Sequence, residues 1–451
     1  MDSDRRMEQP SGGARHQIIV VGGGAGGFEL AVKLGRRLGR RGLADVTLVD
    51  RTPVHIWKPL LHEVAAGTLN ANEDELNYLA HAHWNHFRFR LGSLETLDRK
   101  NRTIVLSPSF DEQGREFIPR RSFHYDTLVI CVGSQANDFG IPGVREHCLM
   151  LDTREQAERF HRNLLYRCYQ ANAQEAPLRP GQLHIAIAGA GATGVELSAE
   201  LHSAVRQLVS FGLDRLDPER DVRIHLIEGA PRVLPGLPER ISAEIGQLLR
   251  SLDIQVMTGE RVTRATAEGF HTLSGKFIPA EIKVWAAGIQ APEVLKNLDG
   301  LETNHINQLV VRPTLQTTRD DDIFAFGDCA ACPLGDGKSL VPPRAQAAHQ
   351  QAALLVKSIT RRLRGESPLP EYRYQDFGSL INLSHHSTIG NLMGNLMGRS
   401  GTFYLEGLFA RLAYLSLYKM HLLAIQGWWP VTLRTLADLL SRRTKPRLKL
   451  H

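Results

Sequence analysis

Six glycines fall into two copies of one spacing: Gly22, Gly24 and Gly27, then Gly189, Gly191 and Gly194. Each triplet follows a short apolar run, 17–21 or 184–188, and precedes a stretch with helical periodicity. In this order the first glycine permits a tight turn and the second lets a pyrophosphate come close to the backbone. The third lets helix and strand pack closely. The phosphates then meet the free N–H groups of a helix N-terminus. An acid closes the next apolar run in each copy, Asp50 and Glu228, where a carboxylate can accept hydrogen bonds from a ribose. The glycine spacing alone also fits a simple turn; strand, helix and acid together make it a dinucleotide cradle. Glu228 would bind a free 2′-hydroxyl and repel a 2′-phosphate, which favours NADH over NADPH, although the nearby Arg232 works slightly against this.

Two cradles in one chain have a chemical meaning. A nicotinamide delivers a hydride, and a second dinucleotide able to accept it is a flavin. Gly133 and Gly288 close two further apolar runs, 127–132 and 282–287. Gly327-Asp328 follows the run 323–326 and offers a carboxylate and a helix start for a flavin ribityl and pyrophosphate; alone, such a pair is only a turn.

These groups need elements to hold them. Strands alternating with helices predict a doubly wound parallel sheet in each half, with helix over 28–38 and strand over 46–50 in the first. Residues 85–126 predict antiparallel strands and turns. The fold class is therefore α/β, with two Rossmann-like dinucleotide-binding domains and a C-terminal amphipathic helical region. At roughly 150 residues per domain, 451 residues suggest about three domains. The expected boundaries are a disordered leader at 1–16, a first dinucleotide-binding part at 17–160 and a second dinucleotide-binding domain at 161–300. A return to the first domain follows at 301–371, then a C-terminal region at 372–451.

Composition excludes several classes. With 42% hydrophobic and 23% charged residues the chain is neither a disordered tail nor a fibre. Mean hydropathy is −0.22, and no long uncharged apolar run suggests a transmembrane helix. Five cysteines, an odd number, do not build a secreted disulfide scaffold. Disulfide reductases of this fold need a cysteine pair after the first ribose strand, and 55–68 has none. Cys329 and Cys332 have C-x-x-C spacing, but one pair is half of a four-cysteine zinc site and buried small residues are the expected reading. His81, His83 and His86 lack a face that would converge them on a metal, so no metal is expected.

The net charge is +6 and the isoelectric point about 9.1. Nearly all of the excess comes from Arg434, Arg442, Arg443, Lys445, Arg447 and Lys449, against one acid, Asp438. As a helix, 429–443 gathers Trp429, Leu433, Leu436, Ala437, Leu439 and Leu440 on one face and Arg434, Asp438, Ser441 and Arg442 opposite. That pattern predicts a helix lying in a lipid interface, with Trp428 and Trp429 at headgroup depth and an anionic lipid surface against 428–451. Packing on its own domain is the alternative. Nucleic acid is not expected, because the basic residues sit beside tryptophans and leucines. The segment 405–425 is apolar almost all round and fits a core helix, a tunnel wall or a second anchor.

Beyond these readings, the sequence resembles the bacterial type II NADH dehydrogenases, single-chain non-pumping NADH:quinone oxidoreductases. The blocks that carry the resemblance are VVGGGAGGFELA, HIWKPLLHEVAAGT, GAGATGVELSAELH, VWAAGIQAP, LVVRPTLQTTRDDDIFAFGDCA, VPPRAQAAHQ and the ending PRLKLH, spanning about 17–451. The resemblance implies the two-dinucleotide flavoprotein fold of glutathione reductase relatives, FAD on the first loop and NADH on the second. It implies hydride transfer from NADH to FAD and then two electrons to a membrane quinone, without proton pumping, in a peripheral protein on the cytoplasmic face of the bacterial inner membrane. Homodimers are common in the family. Its quinone motif, Ala-Gln-x-Ala-x-Gln, stands here as Ala345-Gln346-Ala347-Ala348-His349-Gln350 and puts Gln346 beside flavin and quinone, with Gln350 as a second functional amide. Glu196, two residues after Gly194, would lie near nicotinamide and flavin, in positioning or proton relay. Lys58 lies in a segment that approaches the flavin. From the residues alone, Gln346, His349 and Gln350 form one polar helix face, and Glu196 complements a helix dipole. Rival functions are a soluble NADH-dependent flavin reductase, a sulfide:quinone oxidoreductase relative working through paired cysteine thiolates, and an NADH-sensing flavoprotein.

Overall fold

The computed structural model describes residues 15–69, 75–335, 337, 339–384, 387–393 and 402–441. They form two compact units, each drawn from three stretches of chain. The first takes residues up to Ile56, then Glu75–Gln135 and Gln290–Gln375. Its centre is a five-stranded parallel sheet in the order Ile323–Ala325, Thr127–Ile130, His16–Val21, Ala44–Asp50, Arg88–Leu91. Ile18, Val20, Leu48, Leu128 and Val129 are fully buried. Unbroken apolar runs of this kind mark strands covered on both faces, as parallel sheets require. Helix Ala25–Leu34 runs from the first glycine loop and packs on helix Ala345–Leu363. The predicted helix over 28–38 ends at Leu34 as an α-helix and continues as a π-turn, Gly35–Gly39. There a Cβ on Gly35 or Gly39 would strike the carbonyls of Asn85 and His86 at 2.2 and 2.1 Å. Strands Leu94–Asp98, Thr103–Leu106 and Arg121–His124 form the antiparallel meander expected between 85 and 126.

The second unit repeats the plan. Four parallel strands lie in the order Gln255–Thr258, Arg223–Glu228, His184–Ala188, Ile282–Trp285. Helix Ala192–Ser210 leaves the second glycine loop. The segment 57–74, with helix Leu61–Ala66, clusters with this unit, as do the residues from Asp376 onward. The expected boundary at 160/161 falls inside helix Arg154–Ala173, and the units divide at 135/136 and 289/290. The C-terminal region holds an element the sequence reading lacks. Strands Gly378–Leu383, Ser387–Met393 and Thr402–Glu406 form an antiparallel sheet, and helix Gly407–Gln426 packs against it. Helix Trp428–Ser441 follows. The leader up to residue 14 and the basic stretch from 442 lie outside the described residues, and His16 begins a strand.

Candidate functional site

The two glycine loops share one construction. The first glycine of each is left-handed, φ +111° at Gly22 and +105° at Gly189. A Cβ on Gly22 would lie 2.3 Å from the Cys131 carbonyl oxygen, and one on Gly189 would lie 2.4 Å from that of Ala286. The third glycine packs on the first: a Cβ on Gly27 or Gly194 would come within 1.9 Å of the Gly22 or Gly189 oxygen. The middle glycine differs. A Cβ on Gly24 or Gly191 would meet nothing within 4 Å, and φ values of −61° and −71° suit any residue. The protein leaves space at both helix N-termini, where unpaired N–H groups gather, and a pyrophosphate fits that space. Gly133, φ +72°, is equally open.

The two acids are also equivalent. Asp50 Oδ2 accepts from the Gly23 N–H at 2.6 Å, while Oδ1 accepts from the Thr52 N–H and hydroxyl, each at 2.9 Å. Glu228 Oε2 accepts from the Ala190 N–H at 2.7 Å and Oε1 from the Ala230 N–H at 2.8 Å. Each carboxylate therefore fixes the second residue of its loop, and with about four lone-pair sites it keeps acceptor capacity for a ribose. The sequence reading missed two supports of the first loop. The Tyr78 hydroxyl donates to the Gly23 carbonyl at 2.6 Å, and His55 Nδ1 lies 2.9 Å from the same oxygen. Burial lowers His55 to about 4, so a neutral ring donates there.

Asp328 Oδ2 accepts from the Ser134 hydroxyl at 2.9 Å, and the Asp328 carbonyl accepts from Gln308 Nε2 at 2.9 Å. Gly327, φ +74°, donates its N–H to Gln351 Oε1 at 2.9 Å. Gln351 is buried and went unread in the sequence, masked by the glutamine before it. Ala345 and Gln346 open helix Ala345–Leu363, both half-buried. Gln350 is committed elsewhere. Its Nε2 donates to the Gln375 carbonyl at 2.8 Å, and its Oε1 accepts from the Gln375 N–H at 3.1 Å and the Tyr372 hydroxyl at 3.2 Å. That is a clamp on the 372–375 segment. His349 turns to Glu29, Nδ1 to Oε2 at 2.6 Å. The expected common polar face thus resolves into separate attachments.

Lys58 Nζ lies 3.4 Å from Asp152 Oδ1. At Gly288 the Phe139 ring occupies the Cβ direction at 2.6 Å, with Phe139 itself at φ +52°.

Glu196 is 8% exposed on helix Ala192–Ser210. Its Oε1 accepts from the Asn382 N–H at 3.0 Å, and its Oε2 lies 3.9 Å from His62 Nδ1. Burial, then the nearby Glu63 and Glu200, push its carboxyl up to about 8 against that one hydrogen bond. A helix dipole is worth about 0.3–1 kcal/mol to an anion, too little to offset desolvation, so Glu196 is protonated at neutral pH.

The cysteines are all free. Burial pushes Cys329 and Cys332 up to about 12 and Cys131 well above its ordinary value. Such thiols are poor nucleophiles. Among the described residues no cluster has the makings of a metal site; His81 is buried against Phe28 and Trp84. On helix Trp428–Ser441 one set of apolar side chains faces outward: Trp428, Trp429, Leu433, Leu436 and Leu440 are 78%, 74%, 61%, 53% and 82% exposed, while Val431 is buried. Among the described residues no helix is long and apolar enough to cross a membrane.

Residues 16–352 match the pyridine nucleotide-disulphide oxidoreductase family. The chain is 43% identical to the type II NADH:quinone oxidoreductase of Haemophilus influenzae over 446 residues, 96% of this chain and 99% of that one. Its fold matches that of NDH2 from Plasmodium falciparum in complex with NADH, with a TM-score of 0.82 at 20% identity over 97% of this chain and 100% of the other. It also matches the sulfide:quinone oxidoreductase of Aquifex aeolicus, at 0.70 and 19% over 92% of each. Those two likenesses establish the fold and leave the electron donor open; the sequence relation is the discriminating one. The chain belongs to the pyridine nucleotide-disulphide oxidoreductase family and, within it, to the type II NADH:quinone oxidoreductases.

Proposed function

We propose that this protein is an FAD-dependent NADH:quinone oxidoreductase of the respiratory chain that pumps no protons. The observation that carries the reading is the doubled cradle, with space left at Gly24 and again at Gly191. FAD belongs on the first loop, where Gly22, Gly24, Gly27, Asp50, Gly133, Gly327 and Asp328 would hold it, with Ala345 and Gln346 at the start of the adjoining helix and Lys58 as a further contact. NADH belongs on the second, with Gly189, Gly191 and Gly194 under its pyrophosphate, Glu228 on its adenosine ribose and Gly288 lining the site. Bound FAD supplies two-electron chemistry linking a hydride donor to a quinone. The protein contributes position. Gln346 offers an amide donor and acceptor to a quinone carbonyl, and Glu196 holds a proton at neutral pH. Gln350 acts on this site through the segment it clamps.

The exposed apolar face of helix Trp428–Ser441 supports peripheral attachment to an anionic membrane, the cytoplasmic face of the bacterial inner membrane, with the basic tail at the headgroups. Assembly as a homodimer accompanies the family reading and is checked by analytical ultracentrifugation. The high thiol values of the buried cysteines disfavour sulfide chemistry. Stopped-flow spectroscopy of the purified holoenzyme tests the function. NADH should bleach the flavin band and quinone should restore it; a colourless protein, or a band that NADH leaves untouched, would overturn the assignment.

A further inference from the structure

Among the described residues, Phe139 is the one phenylalanine, tyrosine or tryptophan with a left-handed backbone, φ +52°. A bulky side chain is crowded in that conformation, so its surroundings must hold it there. The turn that carries it is tied down at each residue. Asn137 donates its N–H to the Gly288 carbonyl at 2.9 Å, and its own carbonyl accepts from the buried Trp285 indole N–H at 2.7 Å. Asn137 Oδ1 accepts from the Phe139 N–H at 2.8 Å. Asp138 Oδ1 accepts from the Gly140 N–H at 3.0 Å, and its other oxygen pairs with Arg145. Trp285 is anchored in the apolar core with Val144 and Phe270.

All this fixes the main chain without burying the ring. Phe139 is 58% exposed, and its ring tip rests on Gly288. Strain that carries a ring into a core is offset by burial. Strain that holds a ring in water has no such offset, and the inference runs from it to a function. The place of the ring on the sheet identifies what it meets. A dinucleotide lies across the carboxyl ends of parallel strands. Here Glu228 ends the strand on one side of His184–Ala188 and takes the adenosine ribose, and the glycine loop ending His184–Ala188 takes the pyrophosphate. The remaining half of the molecule continues over the strand on the other side, Ile282–Trp285. That strand runs into Ala286–Gly288, which adjoins the loop: a Cβ on Gly189 would lie 2.4 Å from the Ala286 oxygen. Phe139 stands at this end, and every residue named here belongs to the second unit.

We propose that the Phe139 ring is the surface on which the nicotinamide end of NADH packs. Nicotinamide is a flat ring, and an aromatic side chain offers it an offset or edge contact. Because the turn is already fixed, little freedom is lost on binding. Holding the ring that gives up the hydride is the way position contributes to the rate. The contact also selects the whole dinucleotide over fragments that end at a ribose. Gly288 is glycine because the Phe139 ring needs its Cβ position, so the two residues act as one seat. The inference rests on the function proposed above and deepens it by assigning the nicotinamide half of the second cradle.

The test uses the full-length, FAD-loaded enzyme as wild type, Phe139→Asn and Phe139→Trp. Asparagine accepts a left-handed backbone and removes the ring; tryptophan keeps a ring and adds a fluorophore. In calorimetric titrations of the oxidised enzyme, Phe139→Asn should weaken NAD⁺ at least about fivefold, the scale of one aromatic pair, and leave ADP-ribose within about twofold. ADP-ribose lacks the nicotinamide. The melting temperature of Phe139→Asn should equal or exceed that of wild type, because the backbone is relaxed and little buried surface is lost. In Phe139→Trp the emission added to the wild-type background should be quenched by NAD⁺ and not by ADP-ribose. Unchanged NAD⁺ affinity, equal weakening of both ligands, or equal quenching by both would each overturn the contact. A Phe139→Asn enzyme that melts well below wild type or fails to fold would make the ring structural and overturn it too. A wild-type flavin that NADH cannot bleach removes the function itself. A wild type that is bleached normally, beside a Phe139→Asn enzyme that binds NAD⁺ as tightly, removes only the seat.

Discussion

Glu196 shows how one residue type at one position takes opposite roles. Two residues after the glycine loop an acid is favoured by the helix dipole, and that much is legible in the sequence. Burial is not, because the strand and helix that cover Glu196 come from beyond residue 376. The consequence is measurable. The carboxyl rises from 4.5 to about 8 on folding, so the folded state binds the extra proton between those values. The stability this confers is complete below about 4.5 and is lost as pH rises through 8. Glu196→Gln carries a permanent neutral isostere. Its melting temperature relative to wild type should therefore climb between pH 5 and 8, by a few degrees, in scans of the holoenzyme at a fixed rate. Parallel melting curves across that range would show that Glu196 is not the protonated group. Gln350 and Gln351 carry the same lesson. The sequence offers two adjacent amides, and only packing shows that Gln351 holds the Gly327 turn while Gln350 clamps Gln375.

At the scale of elements, the glycine loops were readable because their geometry is local. Turn, close approach and helix start are set within a few residues, and the same spacing yields the same φ values in both halves. The antiparallel sheet of Gly378–Leu383, Ser387–Met393 and Thr402–Glu406 was not, since its pairing depends on partners across turns and its strands flank a leucine-rich helix that dominates the composition. The loops permit a test that separates folding from binding. Gly27→Ala would place a methyl 1.9 Å from a carbonyl oxygen and should damage the fold itself. Beyond their immediate chain neighbours, the methyls of Gly24→Ala and Gly191→Ala meet nothing within 4 Å, so a clash there is with a ligand. Gly24→Ala should retain the apoprotein melting temperature yet lose flavin during gel filtration. Gly191→Ala should keep its flavin and raise the KM for NADH by about tenfold, equivalent to about 1.4 kcal/mol of binding. Exchange of these phenotypes would reverse the assignment of FAD and NADH to the two cradles, and the absence of both would deny that these spaces hold phosphates.

At the scale of the whole molecule, chain order misleads about membership. The 57–74 segment follows the first ribose strand in sequence but clusters with the second unit, because helix Leu61–Ala66 packs on helices Arg154–Ala173 and Ala192–Ser210. The membrane-facing reading needed less: a periodic stripe of leucines with tryptophans at one end predicts an amphipathic helix, and the helix forms with Trp429, Leu433, Leu436 and Leu440 uncovered. A soluble surface seldom leaves five large apolar side chains of one short helix open to water. Burying a leucine side chain in lipid is worth about 2 kcal/mol, so Leu433→Ser with Leu440→Ser should cut partition onto vesicles containing anionic lipid at least about a hundredfold. The apolar contribution should survive high salt, whereas that of the basic tail should be screened away. The double serine variant should therefore lose most of its remaining binding in high salt, while wild type keeps a substantial part. Turnover with a water-soluble quinone should stay unchanged in both, and turnover with a long-chain quinone held in vesicles should fall with the partition. Equal vesicle binding by wild type and variant would mean that this helix face is covered by something other than lipid.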